Sequence, residues 1–166
     1  MATNSAGEAI AHSLRGSKGL LHRYTQDLTP TEFLHRPAPK ANCTAWLIGH
    51  LTLSDRSALK ALGIAGEALP KLPDGYEKRF SRDEGCPQAG EFGDVSVLLP
   101  LFDEHRDLLI QTVERASPEQ LNRPLETSRP MFSTPGELAG FMSLHTAMNA
   151  GQITIIRRSL GRPPII

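Results

Sequence analysis

Net charge is the first thing this chain lacks. Eighteen basic side chains balance eighteen acidic ones over 166 residues, and no run of five or more Lys or Arg occurs. Without a field of one sign there is nothing to gather a polyphosphate, so nucleic acid is not an expected partner. Long apolar runs are missing as well. No stretch approaches the ~18 consecutive apolar residues of a membrane span, and the first thirty residues do not follow the basic-then-apolar order of a signal peptide. The expectation is a cytoplasmic protein with no membrane partner. Cysteine is scarce: Cys43 and Cys86 stand in unrelated sequence contexts without a C-x-x-C spacing, which reads as two inert reduced thiols and not as a disulfide framework. Alternating strand patterns, internal repeats, low-complexity tracts, a glycine-rich phosphate loop and a close pair of inward carboxylates are also absent. Asp55 and Glu104, the nearest acidic candidates, read as solvated face residues. What remains, 39% hydrophobic and 22% charged, fits one domain over residues 1–166 with one core.

Four segments carry helical periodicity. The first has a seam of Ile10, Leu14, Ser17, Leu21, Tyr24 and Leu28, although Gly16 and Gly19 each weaken it by about 1 kcal/mol relative to Ala. His12, His22 and His35 lie off that seam or in the connection after it and read as solvated. The second segment starts at Asn42 as N-cap and ends at Gly63, with Cys43, Leu47, His50, Ser54, Ser57 and Ala61 in register and Trp46 and Leu53 beside His50. A third, Val95 to Ala116, aligns Leu98, Phe102, His105, Leu109, Thr112 and Ala116 and stops at Ser117-Pro118. His105 can face inward, but a shift of one position moves it to the surface. The fourth opens on a capping box, with Thr134 as N-cap, Pro135 at the first helical position and Glu137 three residues on. It closes at Leu160-Gly161, with Arg157 and Arg158 near its last carbonyls and Pro163-Pro164 behind.

Four amphipathic helices without strands predict an all-α fold, a four-helix bundle. The roughly thirty residues between Gly63 and Asp94 far exceed an ordinary bundle turn. A connection that long can run the length of the bundle. It predicts an up-down-down-up order, with the second and third helices parallel, and it can cover the mouth of a site.

On the fourth helix Leu138, Met142, His145, Asn149, Gln152 and Ile156 share one face at steps of 4, 3, 4, 3 and 4. That seam turns from apolar to polar. Buried hydrogen-bonding side chains need partners, so the seam is either a packed polar network or a ligand site. The inward His50 of the second helix raises the weight of a ligand site.

Two stretches carry a resemblance to a known family. Ala45-Trp46-Leu47-Ile48-Gly49-His50-Leu51 and Leu144-His145-Thr146-Ala147-Met148-Asn149-Ala150-Gly151-Gln152-Ile153, followed by the ending Arg157 to Pro164, resemble the DinB-like superfamily over most of the chain. The resemblance implies a DinB-like bundle and a metal-dependent hydrolase or thiol S-transferase acting on a small-molecule substrate. It also implies a homodimer and a metal triad at His50, His145 and position 149, with Gly151 in helix packing. Position 149 is Asn. An amide oxygen is a weak ligand for zinc or nickel where imidazole suits both, so the expectation is a weakened or degenerate site for a divalent metal. The alternative is a non-catalytic ligand-binding bundle or a dimeric interaction protein that retains a structural polar network. A small-residue stripe, Ala139, Ser143, Thr146, Ala150 and Ile153, permits close packing inside the bundle or across a two-fold axis. Under the site reading, the nearest nitrogens of His50 and His145 lie within about 8 Å of each other. Under the lid reading, residues from Pro73 to Gly93 pack over the opening near His50.

Overall fold

The computed structural model describes residues 6–83, 85–126, 130–163 and 165. Its helices are α1 (Ala6–Thr25), α2 (Pro30–Phe33), α3 (Thr44–Ala61), α4 (Tyr76–Arg79), α5 (Leu98–Arg115), α6 (Pro118–Asn122) and α7 (Pro135–Ser159), and the described residues include no β-strand. The long ones are α1, α3, α5 and α7. Side-chain caps explain several starts. Thr134 accepts from the Glu137 amide while Glu137 reaches back to the Thr134 amide, the capping box expected for α7. Ser117 and Gln120 do the same for α6, so the stop signal of α5 is also a start signal. The N-cap of α3 is Cys43 and not Asn42, and it makes no side-chain capping bond.

Helix directions follow from which residues meet. Arg15 pairs with Glu114, Lys18 with Asp107 and His22 with Asp103, so α1 and α5 are antiparallel. Ile10 lies against Gly140, and Arg157 donates to the Tyr24 carbonyl, so α1 and α7 are parallel. On α3 and α5, Leu47 and Leu51 share one apolar cluster with Phe102, and Ala58 and Leu59 share a second with Leu109 and Val113. Those two helices run the same way. Leu138 and Met142 of α7 join the second cluster and Ile153 and Ile156 the first, which sets α7 against α3. The order is up-down-down-up, and residues 62–97 return along the bundle from the end of α3 to the start of α5.

A polar layer separates the two apolar clusters. Arg106 of α5 and Asp55 of α3 are both 0% exposed and bond through two contacts, Nε to Oδ2 at 2.7 Å and Nη2 to Oδ1 at 2.9 Å. The guanidinium also donates to Ser17 Oγ of α1 at 2.9 Å and Thr146 Oγ1 of α7 at 2.8 Å, and stands over the Phe102 ring. One side chain thus ties all four long helices. Above and below it, each buried Leu or Phe contributes roughly 1.5–3 kcal/mol through removal from water.

Several expectations need correction. Asp55 is not a solvated face residue; the buried face of α3 is rotated toward Ile48, Leu51, Asp55 and Leu59, leaving Ser54, Ser57 and Ala61 at its edge. Gln152 is exposed and so is Gly151, beside which nothing packs. Ala139, Thr146, Ala150 and Ile153 are buried within the bundle, so the small-residue stripe is used inside it. His22 and His35 are half-buried, bonded to Asp103 and to Ser159 Oγ. Cys43 and Cys86, unrelated in sequence, are brought together in space.

Removing one partner of a buried ion pair leaves the other charge uncompensated. Asp55→Ala should therefore cost about 3–5 kcal/mol, measured by urea unfolding. The double variant Asp55→Leu/Arg106→Met should recover most of that loss.

Candidate functional site

His50 stands in the first half of α3 and His145 in the middle of α7, on helices that pass in opposite directions. Each ring is held by an aromatic one turn away on its own helix, the i, i+4 neighbour. Trp46 stacks on His50 with centroids 4.8 Å apart and planes 5° apart, and Phe141 lies over His145 at 5.9 Å and 16°. Between the helices the two imidazoles meet edge to face, centroids 5.2 Å apart and planes at 87°. The two helices thus bring the rings into direct contact.

The hydrogen bonds of the pair are unequal. His50 Nδ1 lies 3.3 Å from the Phe80 carbonyl. A carbonyl only accepts, so the His50 proton sits on Nδ1 and the Nε2 lone pair is left free. His145 Nδ1 is buried and has no protein partner. An unpaired buried nitrogen carries a desolvation cost that a ligand can relieve. Burial, and then the proximity of His50, pull His145 down to about 4, and burial also holds His50 below the ordinary histidine value. Both rings are neutral at pH 7, the form in which imidazole is a ligand or a base.

A cavity of about 520 Å³ opens beside them. Its walls are largely apolar, with Leu53, Phe132, Phe141 and Met148 prominent, and its polar groups include Ser54, Ser57 and Arg82. One wall comes from the long connection, which supplies Phe80, Ser81 and Arg82. Gly49 admits that wall: a Cβ there would sit 2.3 Å from the Phe80 ring. The connection therefore packs beside His50, where a lid would have to lie.

Asn149 is 4% exposed, but its Nδ2 donates to the His145 carbonyl at 2.8 Å and the residue is not part of the cavity wall. His105 does not join the pair either. Its Nδ1 donates to the Leu101 carbonyl at 2.8 Å, its Nε2 lies 3.4 Å from Arg56 Nη1, and it is outside the cavity lining. Among the described residues no three His, Cys, Asp or Glu side chains form a group that could hold a metal. Two imidazole donors fit a divalent ion, and the third position offers only a neutral amide.

A family model described as DinB superfamily matches residues 13–153. The chain belongs to the DinB superfamily. Among solved structures, YfiT from Bacillus subtilis, described as a probable metal-dependent hydrolase with an unusual four-helix bundle topology, aligns over 98% of this chain and 92% of its own. The TM-score is 0.68 at 15% identity, a likeness of fold. No curated protein matches the sequence. No helix among the described residues is long and apolar enough to cross a membrane.

Sequence reasoning singled out His50, His145 and the span from Pro73 to Gly93, but not that Phe80, Ser81 and Arg82 are the part of that span on the cavity wall. The nearest signal was Gly49, the only glycine on α3, beside the histidine itself. Gly49→Ala should displace Phe80, cost about 1–3 kcal/mol in thermal or urea unfolding, and change the environment of Trp46 fluorescence. A pH effect follows from His145. Between about 4 and its ordinary 6.5 the native ring binds fewer protons than the unfolded one, so stability of the metal-free protein falls as pH drops through that window. His145→Gln should flatten the fall, read from unfolding curves at neutral pH and near pH 5.

Proposed function

We propose that this protein is a metal-dependent enzyme of DinB type, a hydrolase or thiol S-transferase for a small molecule, with a weakened site at His50, His145 and Asn149. The observation that carries the reading is the pair of neutral, facing imidazoles, one with an unpaired buried nitrogen, on the wall of a cavity large enough for a small substrate. His50, oriented by the Phe80 carbonyl, offers its remaining nitrogen, as ligating histidines do. His145 offers the second donor. Bound there, zinc or nickel would supply the electrostatic pull that makes a water or thiol nucleophilic near neutral pH.

The apolar walls select a substrate with an apolar body, and Arg82 at the rim favours a negatively charged group on it. Aromatic and Met side chains around the imidazoles lower the local dielectric and strengthen every charge interaction at the reacting centre. The Asn149 amide, satisfied on its own helix, favours a second reading, a non-catalytic bundle that binds a small ligand beside His50 and His145 and keeps Asn149 as a structural polar group. One pair of variants separates the two.

Position 149 follows His145 by one turn of α7, the i, i+4 spacing that lets two side chains reach one ion. Asn149→His should raise zinc affinity roughly tenfold or more in calorimetric titration at fixed pH. His145→Ala should abolish the zinc binding of the native protein at little cost in stability, its ring being only half-buried. No gain with Asn149→His would transfer the assignment to the non-catalytic bundle.

A further inference from the structure

Cys43 and Cys86 are separated by 43 positions in sequence, yet their sulfur atoms lie 3.7 Å apart. Cys43 is the N-cap of α3 and is fully buried, whereas Cys86 lies in the long connection and keeps part of its surface open to solvent. Both are free thiols. Arg36 donates from Nη2 to the Cys86 carbonyl at 2.7 Å and to the Pro87 carbonyl, which plants a fixed positive charge beside the pair. The positive end of α3, an 18-residue helix, faces it as well. The S–H of Cys43 donated to Cys86 is the main reason that the Cys86 thiol is pulled down to about 6, with Arg36 assisting. The same contact, together with burial, pushes Cys43 up. One thiol is therefore accessible and acidic, the other buried and protonated, the division of labour between an attacking and a resolving cysteine.

We propose that Cys43 and Cys86 are a redox-active dithiol whose oxidation staples the long connection to the head of α3. The oxidant class is a hydroperoxide. Cys86 sulfur attacks its terminal oxygen, the O–O bond breaks, and the departing alkoxide, or hydroxide from hydrogen peroxide, takes up a proton, leaving a sulfenic acid on Cys86. Cys43 sulfur then attacks Cys86 sulfur; the S–O bond breaks, the S–S bond forms, and water leaves with the Cys43 proton. Two thiols lose two electrons and two protons, and the peroxide becomes an alcohol (or water) and water. The sulfurs must close from 3.7 Å to about 2.05 Å, a movement on the scale of side-chain rotation. Phe80, Ser81 and Arg82, on the cavity wall, belong to the same connection, so the disulfide pins the element that forms that wall. This pair is separate from the histidine site and does not depend on the metal reading.

The test is peroxide oxidation of the reduced, metal-free full-length protein, followed by alkylation and peptide mass spectrometry. One equivalent of hydrogen peroxide should produce an intramolecular Cys43–Cys86 disulfide, reversed by dithiothreitol, and the oxidised form should melt ~5 °C or more above the reduced form. In Cys43→Ser, a dimedone adduct should appear on Cys86; in Cys86→Ser, Cys43 should react at least tenfold more slowly. Should either variant fail to fold, limiting iodoacetamide on the native protein answers the same question, with Cys86 labelled at least tenfold faster than Cys43. Two thiols that stay alkylatable in the folded protein after excess peroxide would overturn the proposal, as would equal labelling rates.

Discussion

The Arg106 guanidinium is the point on which the four helices agree. Burying two charges is costly, and the cost is offset only when the geometry is right for every donor. Here the carboxylate of Asp55 accepts from Nε and Nη2, Thr146 accepts from Nη2 as well, and Ser17 accepts from Nη1, one partner from each remaining long helix. Apolar layers tolerate sliding and repacking, because dispersion and water exclusion have little direction. A bidentate hydrogen-bonded pair does not. Slipping α3 by one residue would replace the Asp55 carboxylate with Ser54 or Arg56, neither of which carries the charge that pairs with Arg106, and slipping α1 would replace Ser17 with Gly16 or Lys18, neither of which has a side-chain acceptor. The layer therefore sets register, and register sets the site: His145 immediately precedes Thr146, and His50 lies five residues before Asp55. The imidazoles meet because the polar layer holds α3 and α7 at a fixed level.

Around that fixed level the chemistry is arranged by desolvation. Trp46 and Phe141 sandwich the imidazole pair, and the cavity beyond is mostly apolar. Such walls disfavour the charged form of both rings, which leaves lone pairs where a protonated ring would have none. The Phe80 carbonyl then assigns the proton of one ring, so the main chain of the long connection contributes to the site as well as its side chains do. Residues 62–97 are for this reason more than a return path. They carry the cavity wall, the tautomer-setting carbonyl and one of the two facing thiols, three features within seven positions, Phe80 to Cys86.

The shared fold with YfiT at 15% identity shows how few residues the architecture demands. Asn149 is buried, 4% exposed. Its amide is satisfied on the His145 carbonyl, so the fold does not require a ligand there.

Periodicity in the sequence determined the four long helices, and the capping box at Thr134, Pro135 and Glu137 determined the start of α7 to the residue, because these signals are local. The length of the connection after Gly63 determined the up-down-down-up order, since two parallel neighbours need a chain that returns between them. His50 and His145 were legible as inward positions for the same reason. Asp55, Gln152 and the pairing of Cys43 with Cys86 were not. A helical wheel gives the spacing of a face but not its rotation about the axis, and a rotation of some tens of degrees moves Asp55 into the core and Gln152 out of it. That rotation is chosen by the joint packing of four helices and by the single guanidinium they surround. Contact between two sulfurs 43 positions apart is a property of where the connection lies, and only the tertiary structure decides that.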